Sequence, residues 1–409
     1  MYLGIDFGTC YSTAALLLDA KLTPIPAPFS QEYIFPSSVF ISTTEEILVG
    51  QEAENNRQTN PQRYKREFKR DLGTSEPYIL GEVSLLPEEL VTEILKKIKA
   101  EAEKYTQLKG IQNLYQAVIT VPATYDKSKR KLMEQAAHQA GFTEIKLLEE
   151  PIAAAIYYSH YTQINQEDIV LVYDLGGGTF DATLLQNKKT GYKILGTPKS
   201  LNYCGGLNFD YLIFEYIKDN CIQQLREYLE SQNTNILSLC QQIKHQLSEN
   251  YEGTINLQIG LEQAETLSLN RKQFEEMIDP LITESISCCE DLVKNASLNW
   301  SKINHILLVG SSSLIPNLKR LLELRLEHDL VIVDNLDLVI SFGAAIFGEK
   351  EINSPTTYYN WEIDLTKDIQ AKLDSQNKTR RSLPNSGKQN QSQFDISLTT
   401  EIQKLFDKE

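Results

Sequence analysis

The chain has 409 residues, of which 41% are hydrophobic and 23% are charged. This composition is typical of a globular protein with two or three packing units, and it excludes a fibrous or wholly disordered chain. Forty lysines and arginines stand against 55 aspartates and glutamates, and the net charge of −15 predicts that neither nucleic acid nor an anionic membrane is a partner.

The N-terminal residues predict neither a secretory signal nor a membrane span. Asp6 interrupts the first hydrophobic run, and no stretch approaches the ~20 apolar residues that cross a bilayer. The six cysteines form no C-x-x-C pair and lie in apolar surroundings, which favours buried thiols in a reducing compartment. We therefore expect a cytoplasmic protein.

Two strand–turn–strand segments of similar sequence lie 168 residues apart, counted from Asp6 to Asp174. The first is residues 4–9 followed by the apolar run 14–18, and the second is residues 173–179 followed by residues 180–185. Each has an aspartate beside a glycine turn, where glycine permits special backbone geometry. The repeat predicts two duplicated halves.

Strands and helices alternate around these turns. Apolar runs predict strands at 117–121, 169–173, 254–259, 305–309 and 331–333, and helical spacing begins near Leu90 and again near Leu318. The pattern predicts an α/β protein of two lobes. Residues 377–393 are polar and predict a linker. The apolar residues of 394–406 predict either a weakly packed helix or a helix that docks on a partner.

The glycine turns favour phosphate binding. Backbone amides exposed in such turns can surround phosphate oxygens, and an aspartate at the end of a strand can hold the water shell of Mg²⁺. A single turn of this type is more typical of a plain glycine-rich hairpin, but the duplication favours a site that grips a polyphosphate from both sides. The chain contains no G-x-x-x-x-G-K-[ST] and no G-x-G-x-x-G motif.

Seven segments, which include the two glycine turns, occur in a characteristic order: residues 4–12, 121–123, 150–155, 174–181, 205–210, 309–316 and 337–345. This ordered set resembles the ATPase domain of the 70-kDa heat-shock chaperone (DnaK-type) family over about residues 1–348. The resemblance implies an α/β, actin-like ATPase fold with two lobes built from duplicated ribonuclease-H-like units. The first lobe is expected at 1–168 with an inserted subdomain at about 38–114. The second is expected at 169–348 with an insertion at about 209–300, followed by a divergent tail at 349–409.

The resemblance also implies ATP or ADP as ligand, with Mg²⁺ and K⁺ as candidate cations. Its catalytic residues are Lys69, Glu150, Asp174 and Thr179, and its water-mediated metal residues are Asp6, Asp174 and Asp181. Without the resemblance, Lys69 is better interpreted as a solvated member of a basic run. Glu149, which is adjacent to Glu150 in the sequence, is interpreted as a surface charge.

The nucleotide-binding positions that the resemblance implies come from both halves. They are Gly8, Thr9, Cys10, Tyr11, Gly176, Gly177, Gly178, Thr179, Gly205, Gly206, Gln241, Lys244, His245, Ser248, Gly310, Ser311, Ser312, Leu314 and Asp337. Pro122 and Arg130 match the residues that relay nucleotide state to the surface in that family, with a structural proline as the alternative for Pro122.

The chain departs from the family pattern on the base side of this site. His245 and Leu314 stand where the family has two arginines around adenine, and Gln241 stands where it has an acid. Ser311 replaces a glycine and Cys10 a threonine. Lys146 replaces an arginine that the family presents to J-domain cochaperones. These changes put adenine specificity in question.

Sixty-one residues follow Gly348, too few for the family's peptide-binding domain. We therefore expect a chaperone-type protein that binds and slowly hydrolyses Mg·ATP, has no self-contained peptide-binding domain, and signals through lobe closure to a protein partner or cochaperone. The alternative is a non-catalytic nucleotide-sensing or scaffold module. An actin-like filament former or small-molecule kinase is a third possibility, disfavoured by the ordered motifs.

Overall fold

Two mixed β-sheets with the same strand order form the centre of the fold. The structure is a computed structural model that describes residues 1–28, 32–111, 113–231, 233–259, 263–326, 330–332 and 335–353. Its strands are β1 (Tyr2–Phe7), β2 (Tyr11–Leu18), β3 (Lys21–Pro24), β4 (Ile34–Pro36), β5 (Ser38–Ile41), β6 (Ile47–Val49), β7 (Tyr64–Arg66), β8 (Tyr78–Leu80), β9 (Val83–Leu85), β10 (Gln116–Val121), β11 (Glu144–Glu149), β12 (Ile169–Leu175), β13 (Phe180–Lys188), β14 (Gly191–Leu201), β15 (Glu252–Ile259), β16 (Gln263–Asn270), β17 (His305–Val309) and β18 (Leu330–Ile332). Its helices are α1 (Gln51–Asn56), α2 (Pro87–Gln107), α3 (Lys127–Gln139), α4 (Glu150–Tyr161), α5 (Gly206–Asn220), α6 (Gln223–Ser231), α7 (Asn233–Glu249), α8 (Arg271–Asn295), α9 (Pro316–Leu326) and α10 (Val339–Asn353).

The two sheets repeat one topology. The first has the order β3-β2-β1-β10-β11, with β4 also paired to β2, and the second has the order β14-β13-β12-β17-β18. In each, the first three strands are antiparallel and the last two run parallel to the strand that carries the aspartate. The predicted α/β fold with duplicated halves is confirmed.

The central strands are buried on both faces. In β1, only Asp6 is not fully buried, and in β12 only Asp174 is not. Parallel strands covered on both sides read as continuous apolar runs, which is why the sequence pattern located them. Each aspartate is therefore the one polar side chain near the end of an apolar strand, and it lies where the glycine turn begins.

Helix α10, the last described element, packs on the first sheet and on α4, although it follows the second sheet in the chain. Two glycines allow the close approach. A Cβ added at Gly343 would lie 1.9 Å from Ala153 O, and one added at Gly4 would lie 2.4 Å from Ala345 N. Thr13 Oγ1 also donates to Ser341 Oγ at 3.0 Å in a buried contact. Helix α10 thus ties the C-terminal part of the described chain to the N-terminal sheet.

Smaller elements are inserted into each half. Between β4 and β10 the chain forms the three-stranded sheet β6-β5-β7, the hairpin β8-β9, and helices α1 and α2. Between β14 and β17 it forms helices α5 to α8 and the hairpin β15-β16. The helices predicted near Leu90 and Leu318 are confirmed as α2 and α9. The predicted linker at 377–393 and the apolar segment at 394–406 lie outside the described residues.

Five of the six cysteines are buried, Cys288 is partly exposed, and all six are free thiols. Among the described helices, none combines the length and the apolar character that crossing a bilayer requires.

Candidate functional site

Two glycine turns meet in the middle of the molecule. One joins β1 to β2 through Gly8, and the other joins β12 to β13 through Gly176, Gly177 and Gly178. A Cβ added at Gly177 would lie 2.8 Å from Cys10 Sγ, and one at Gly178 would lie 2.9 Å from Thr9 Cγ2. Since the two turns are in van der Waals contact, only residues without a side chain fit at these positions.

The start of α5 closes on the second turn. Gly206 N donates to Gly176 O at 3.1 Å, and Leu207 N donates to Gly177 O at 2.7 Å. A Cβ at Gly205 would lie within 2.8 Å of the Gly178 backbone. Three segments from distant parts of the chain are therefore in contact. The start of α5 meets the second turn backbone against backbone, and the first turn meets it through the side chains of Thr9 and Cys10.

A fourth glycine-containing segment, at Gly310, lies beside Asp174. Gly310 follows β17 with φ of 78°, a left-handed conformation that favours glycine, and a Cβ there would lie 2.7 Å from Asp174 Oδ1. Ser312 Oγ donates to Gly176 O at 2.9 Å and holds this segment against the second turn.

Lys69 and Glu150 form an ion pair beneath the turns. Their charged atoms are 2.8 Å apart, both residues are 8% exposed, and Lys69 Nζ also donates to Phe7 O. Burial opposes a charged lysine, but the negative charge of Glu150 raises the pKa of Lys69 above its usual value, so the ammonium persists. Lys69 is therefore not a solvated member of the basic run.

Three aspartates face this pair. Burial, and then the charge of Glu150, raises the pKa of Asp6 to about 7 and that of Asp181 to about 6. The same causes raise the pKa of Asp174 well above its usual value. Thr120 Oγ1 donates to Asp6 Oδ1 at 3.1 Å, which partly stabilises its ionised form. Four carboxyl groups thus share one lysine, an arrangement that an added cation would stabilise.

The chemistry of this donor set fits a hydrated Mg²⁺ beside a polyphosphate. Carboxylate oxygens suit Mg²⁺, which keeps several of its waters, and the glycine turns leave room for phosphate oxygens. Within the described ranges, no group of three or more His, Cys, Asp or Glu side chains lies close enough together to ligate a metal directly. Asp6, Asp174 and Asp181 are the residues that would hold such a hydrated cation.

These groups line a cavity of about 580 Å³. The predicted site residues among its walls are Asp6, Gly8, Thr9, Cys10, Tyr11, Lys69, Glu150, Asp174, Gly176, Gly177, Gly178, Thr179, Asp181, Gly206, Gln241, Lys244, His245, Ser248, Gly310, Ser311, Ser312 and Asp337. The structure brings this set together from eight separate segments of the chain.

Helix α7 supplies another wall of the cavity. Lys244 Nζ contacts Asp210 Oδ1 at 2.8 Å and donates to Gly206 O at 2.8 Å. Gln241 Nε2 donates to Tyr11 OH at 3.1 Å. Burial, and then the charge of Lys244, lowers the pKa of His245, so its imidazole is neutral near pH 7. Ser311 Oγ donates to Asp337.

Four predicted residues lie elsewhere. Leu314 is 54% exposed and is not among the cavity walls, although its neighbour Ile315 is. Gly205 packs behind the second turn, also outside the lining residues. Pro122 and Arg130 likewise lie outside the cavity.

The expectation for Glu149 was wrong. Glu149 is 1% exposed, and its Oε1 contacts Arg130 Nη2 at 2.8 Å. It is the last residue of β11, directly before Glu150, and a paired guanidinium makes its burial tolerable.

Sequence reasoning also missed several walls of the cavity. Those with a charged or amide side chain are Arg66, Asp210, Glu32 and Gln51. Asp210 ends the quoted segment 205–210, so its position was a usable signal. Arg66 lies in the basic run and carries no local signal that distinguishes it from solvated neighbours.

A comparison with known protein families matches residues 75–370 to the family described as Hsp70 protein, which is more than half of the chain. The match begins after Lys69, so it does not include the first glycine turn or this lysine. Their placement in the site rests on the geometry described above. The matched family consists of chaperone-type, nucleotide-binding ATPases with the actin-like fold described here. The chain belongs to the Hsp70 family.

Proposed function

We propose that this protein binds Mg·ATP in the cavity between the glycine turns, hydrolyses it slowly to ADP and phosphate, and signals the nucleotide state to a partner protein. The observation that carries the proposal is the buried Lys69–Glu150 pair among three aspartates, directly beside two glycine turns in contact. Phosphoryl transfer needs positioning and charge stabilisation above all, and this arrangement supplies both.

The glycine turns bind the phosphates. Backbone amides near Gly8 and Gly177 face phosphate oxygens that no side chain of their own obstructs, and the hydroxyls of Thr9 and Thr179 supply further hydrogen bonds. Gly206, whose N–H is bonded to Gly176 O, lines the same cradle without offering that amide. Since the turns come from both halves of the chain, a bound polyphosphate joins the halves.

Lys69 stabilises the negative charge that develops on the terminal phosphate. Glu150 fixes the ammonium through their 2.8 Å contact, and Asp174 accepts a hydrogen bond from the attacking water and orients it. Mg²⁺, held through water by Asp6, Asp174 and Asp181, neutralises phosphate charge when bound. None of these residues forms a covalent bond to the substrate.

The base lies against α7 and the segment that follows β17. Neutral His245 offers a flat ring, and Ser248, Ser311, Ser312 and Asp337 offer hydrogen bonds. Gln241 and Lys244 are directed to the ribose side. The adenine preference is weaker than two arginines would provide, because an arginine stack contributes roughly 1–2 kcal/mol.

Lobe closure conveys the signal. We assign the lobes to residues 1–168 and 169–348, one sheet to each, with Pro122 and Arg130 as relay residues and a cochaperone as one class of partner. The free cysteines support a reducing compartment, the cytoplasm.

The first test is calorimetric titration with Mg·ATP and Mg·GTP. We expect micromolar or tighter binding of Mg·ATP and weaker binding of Mg·GTP. Asp174→Asn removes a charge at the cation position and abolishes Mg·ATP binding, whereas Asp219→Asn, on the exposed end of α5, leaves binding unchanged. No heat with either nucleotide, together with an unchanged melting temperature at millimolar ligand, contradicts the proposal.

The second test is single-turnover hydrolysis. Lys69→Met is expected to slow the chemical step by about a hundredfold or more, as loss of a transition-state donor does elsewhere. Lys65→Met removes the same charge from the neighbouring strand β7, where Lys65 Nζ lies over the Tyr78 ring, and it should leave the rate unchanged. Hydrolysis that survives Lys69→Met rejects the assigned mechanism.

A non-catalytic nucleotide sensor is the second candidate. Leu314, exposed and outside the cavity, favours it because the residue that stands in place of one of the family's two arginines does not line the cavity. Tight Mg·ATP binding without single-turnover hydrolysis would support the sensor, and measurable hydrolysis would eliminate it.

A further inference from the structure

Arg66 presents an unassigned positive charge to the cavity. It is the last residue of β7, and its side chain is 25% exposed. The next residue, Glu67, has a φ of 65°, a left-handed conformation that side chains disfavour, and it ends the strand. After this bend the chain brings Lys69 to the same cavity, so one short segment contributes two cations to its walls.

The cavity is rich in acid. Among the described residues that line it, seven are carboxylates and three are lysines or arginines, namely Arg66, Lys69 and Lys244. Two of these cations are already neutralised at close range, since Lys69 contacts Glu150 and Lys244 contacts Asp210, each at 2.8 Å.

Arg66 has the weakest counterion of the three. Its Nε is 3.5 Å from Glu67 Oε1, while the other oxygen of that carboxylate is held by Arg70 Nη1 at 2.5 Å. One carboxylate therefore serves two guanidinium groups. Arg70 is itself engaged elsewhere, because its Nη2 donates to Gly178 O at 2.7 Å. Arg66 is thus the cavity cation whose paired carboxylate is the most distant, and the charge of Glu54 also stabilises it.

The neighbours of Arg66 lie at the first glycine turn and on α5, and they include Tyr11, which accepts a hydrogen bond from Gln241. Burial raises the pKa of Cys10 in the first glycine turn, and the charge of Arg66 opposes that rise. The same charge acts on Asp210, across the cavity on α5, whose pKa burial raises to about 6. The groups that shift the pKa of His245 on the base side are Lys244, Glu249 and Asp337, which do not include Arg66.

We infer that Arg66 binds the phosphate chain of the nucleotide, an inference that rests on the proposed function. A guanidinium matches phosphate oxygens with two parallel N–H donors and remains charged at any physiological pH. It adds a cation from β7 to a cavity whose charged walls are mostly acids. This contact offsets part of the affinity that the altered base pocket forgoes.

The test is calorimetric titration of Mg·ADP and of adenosine into the wild type and Arg66→Leu. Mg·ADP is used because no hydrolysis complicates the heat. Arg66→Leu is expected to weaken Mg·ADP binding by about tenfold or more, the size typical of a lost charged hydrogen bond. Adenosine carries no phosphate, so its affinity should change by less than about twofold. Arg66→Lys keeps the charge, loses the paired donors, and should fall between the wild type and Arg66→Leu.

Lys65→Leu is the matched control. It removes one positive charge from the adjacent position of β7, on the side of Tyr78 rather than of the cavity, and should leave Mg·ADP binding unchanged. Equal losses in Lys65→Leu and Arg66→Leu would overturn the inference, as would an unchanged Mg·ADP affinity in Arg66→Leu or an equal loss for adenosine. Melting temperatures without ligand check folding, and Arg66→Lys provides the same comparison should Arg66→Leu fold poorly. A wild type that binds no Mg·ADP contradicts the proposed function instead.

Discussion

Glu149 and Glu150 are neighbours in the chain and have different partners. Glu149 ends β11 and contacts Arg130 on α3, whereas Glu150 begins α4 and contacts Lys69. Each contact is 2.8 Å long, and both glutamates are at least nine-tenths buried. Burial raises the pKa of Glu149, and the Arg130 charge opposes that rise. Two adjacent carboxyl groups thereby connect the cavity to a helix outside it.

We predict that Arg130→Met lowers the free energy of unfolding by about 3–5 kcal/mol, because it leaves a buried charge without a partner. The double variant Arg130→Met with Glu149→Gln should recover most of that loss, since the uncompensated charge is gone. Urea denaturation measures both values.

The control for this prediction is Lys146→Met, which breaks the more exposed pair with Glu351. It should cost less than about 1 kcal/mol. An Arg130→Met variant as stable as the wild type, or a double variant less stable than Arg130→Met, would contradict the interpretation.

Helix α10 is held close to elements of the first half of the chain. It packs on α4 and on the first sheet, and its Gly343 lies against the backbone of Ala153. A helix interior normally gains roughly 0.5–1 kcal/mol when glycine becomes alanine. Here the added methyl would overlap backbone atoms that cannot rotate away.

Gly343→Ala is therefore expected to destabilise the protein by about 3 kcal/mol or more, at the upper end of over-packing costs. Lys350→Ala, on the exposed end of the same helix, should change the stability by less than about 0.5 kcal/mol. Differential scanning calorimetry compares the two. A stabilised Gly343→Ala variant would mean that α10 does not pack on α4 as described.

The whole molecule carries a cluster of carboxyl groups in one cavity. Burial raises the pKa of Asp6 to about 7 and that of Asp181 to about 6, from an ordinary value of 3.8. A carboxyl group whose pKa is higher in the folded than in the unfolded state holds its proton more tightly when folded. Its stabilising contribution is present at low pH and is lost as the pH rises.

For the nucleotide-free protein we predict that this contribution to the free energy of unfolding decreases as the pH rises from about 4 to about 7. The Asp6→Asn/Asp181→Asn double variant should have a flatter profile over that window, and Asp219→Asn should keep the wild-type profile. Urea denaturation at a series of pH values measures the slopes. A double variant with the wild-type slope would exclude these aspartates as its source.

Local patterns account for much of what the sequence predicted. The strands carrying Asp6 and Asp174 are apolar runs ended by glycines, and both features depend on residues next to each other. Helices α2 and α9 follow from apolar spacing after Pro87 and Pro316 in the same way. The order of these segments was sufficient to indicate the family.

Only the tertiary structure decided which of two residues adjacent in the sequence lines the cavity. Lys65 and Arg66 are adjacent and equally charged, yet only Arg66 lines it, because successive side chains of a strand point to opposite faces. Glu149 was expected on the surface and is buried, while Leu314 was expected at the base and is exposed. The sequence by itself determined the glycine turns, the apolar strands and their duplication, since these are local properties of the chain. The burial of each charge depended on residues that are distant in sequence, such as Arg130 for Glu149, and only the packed fold brings those together.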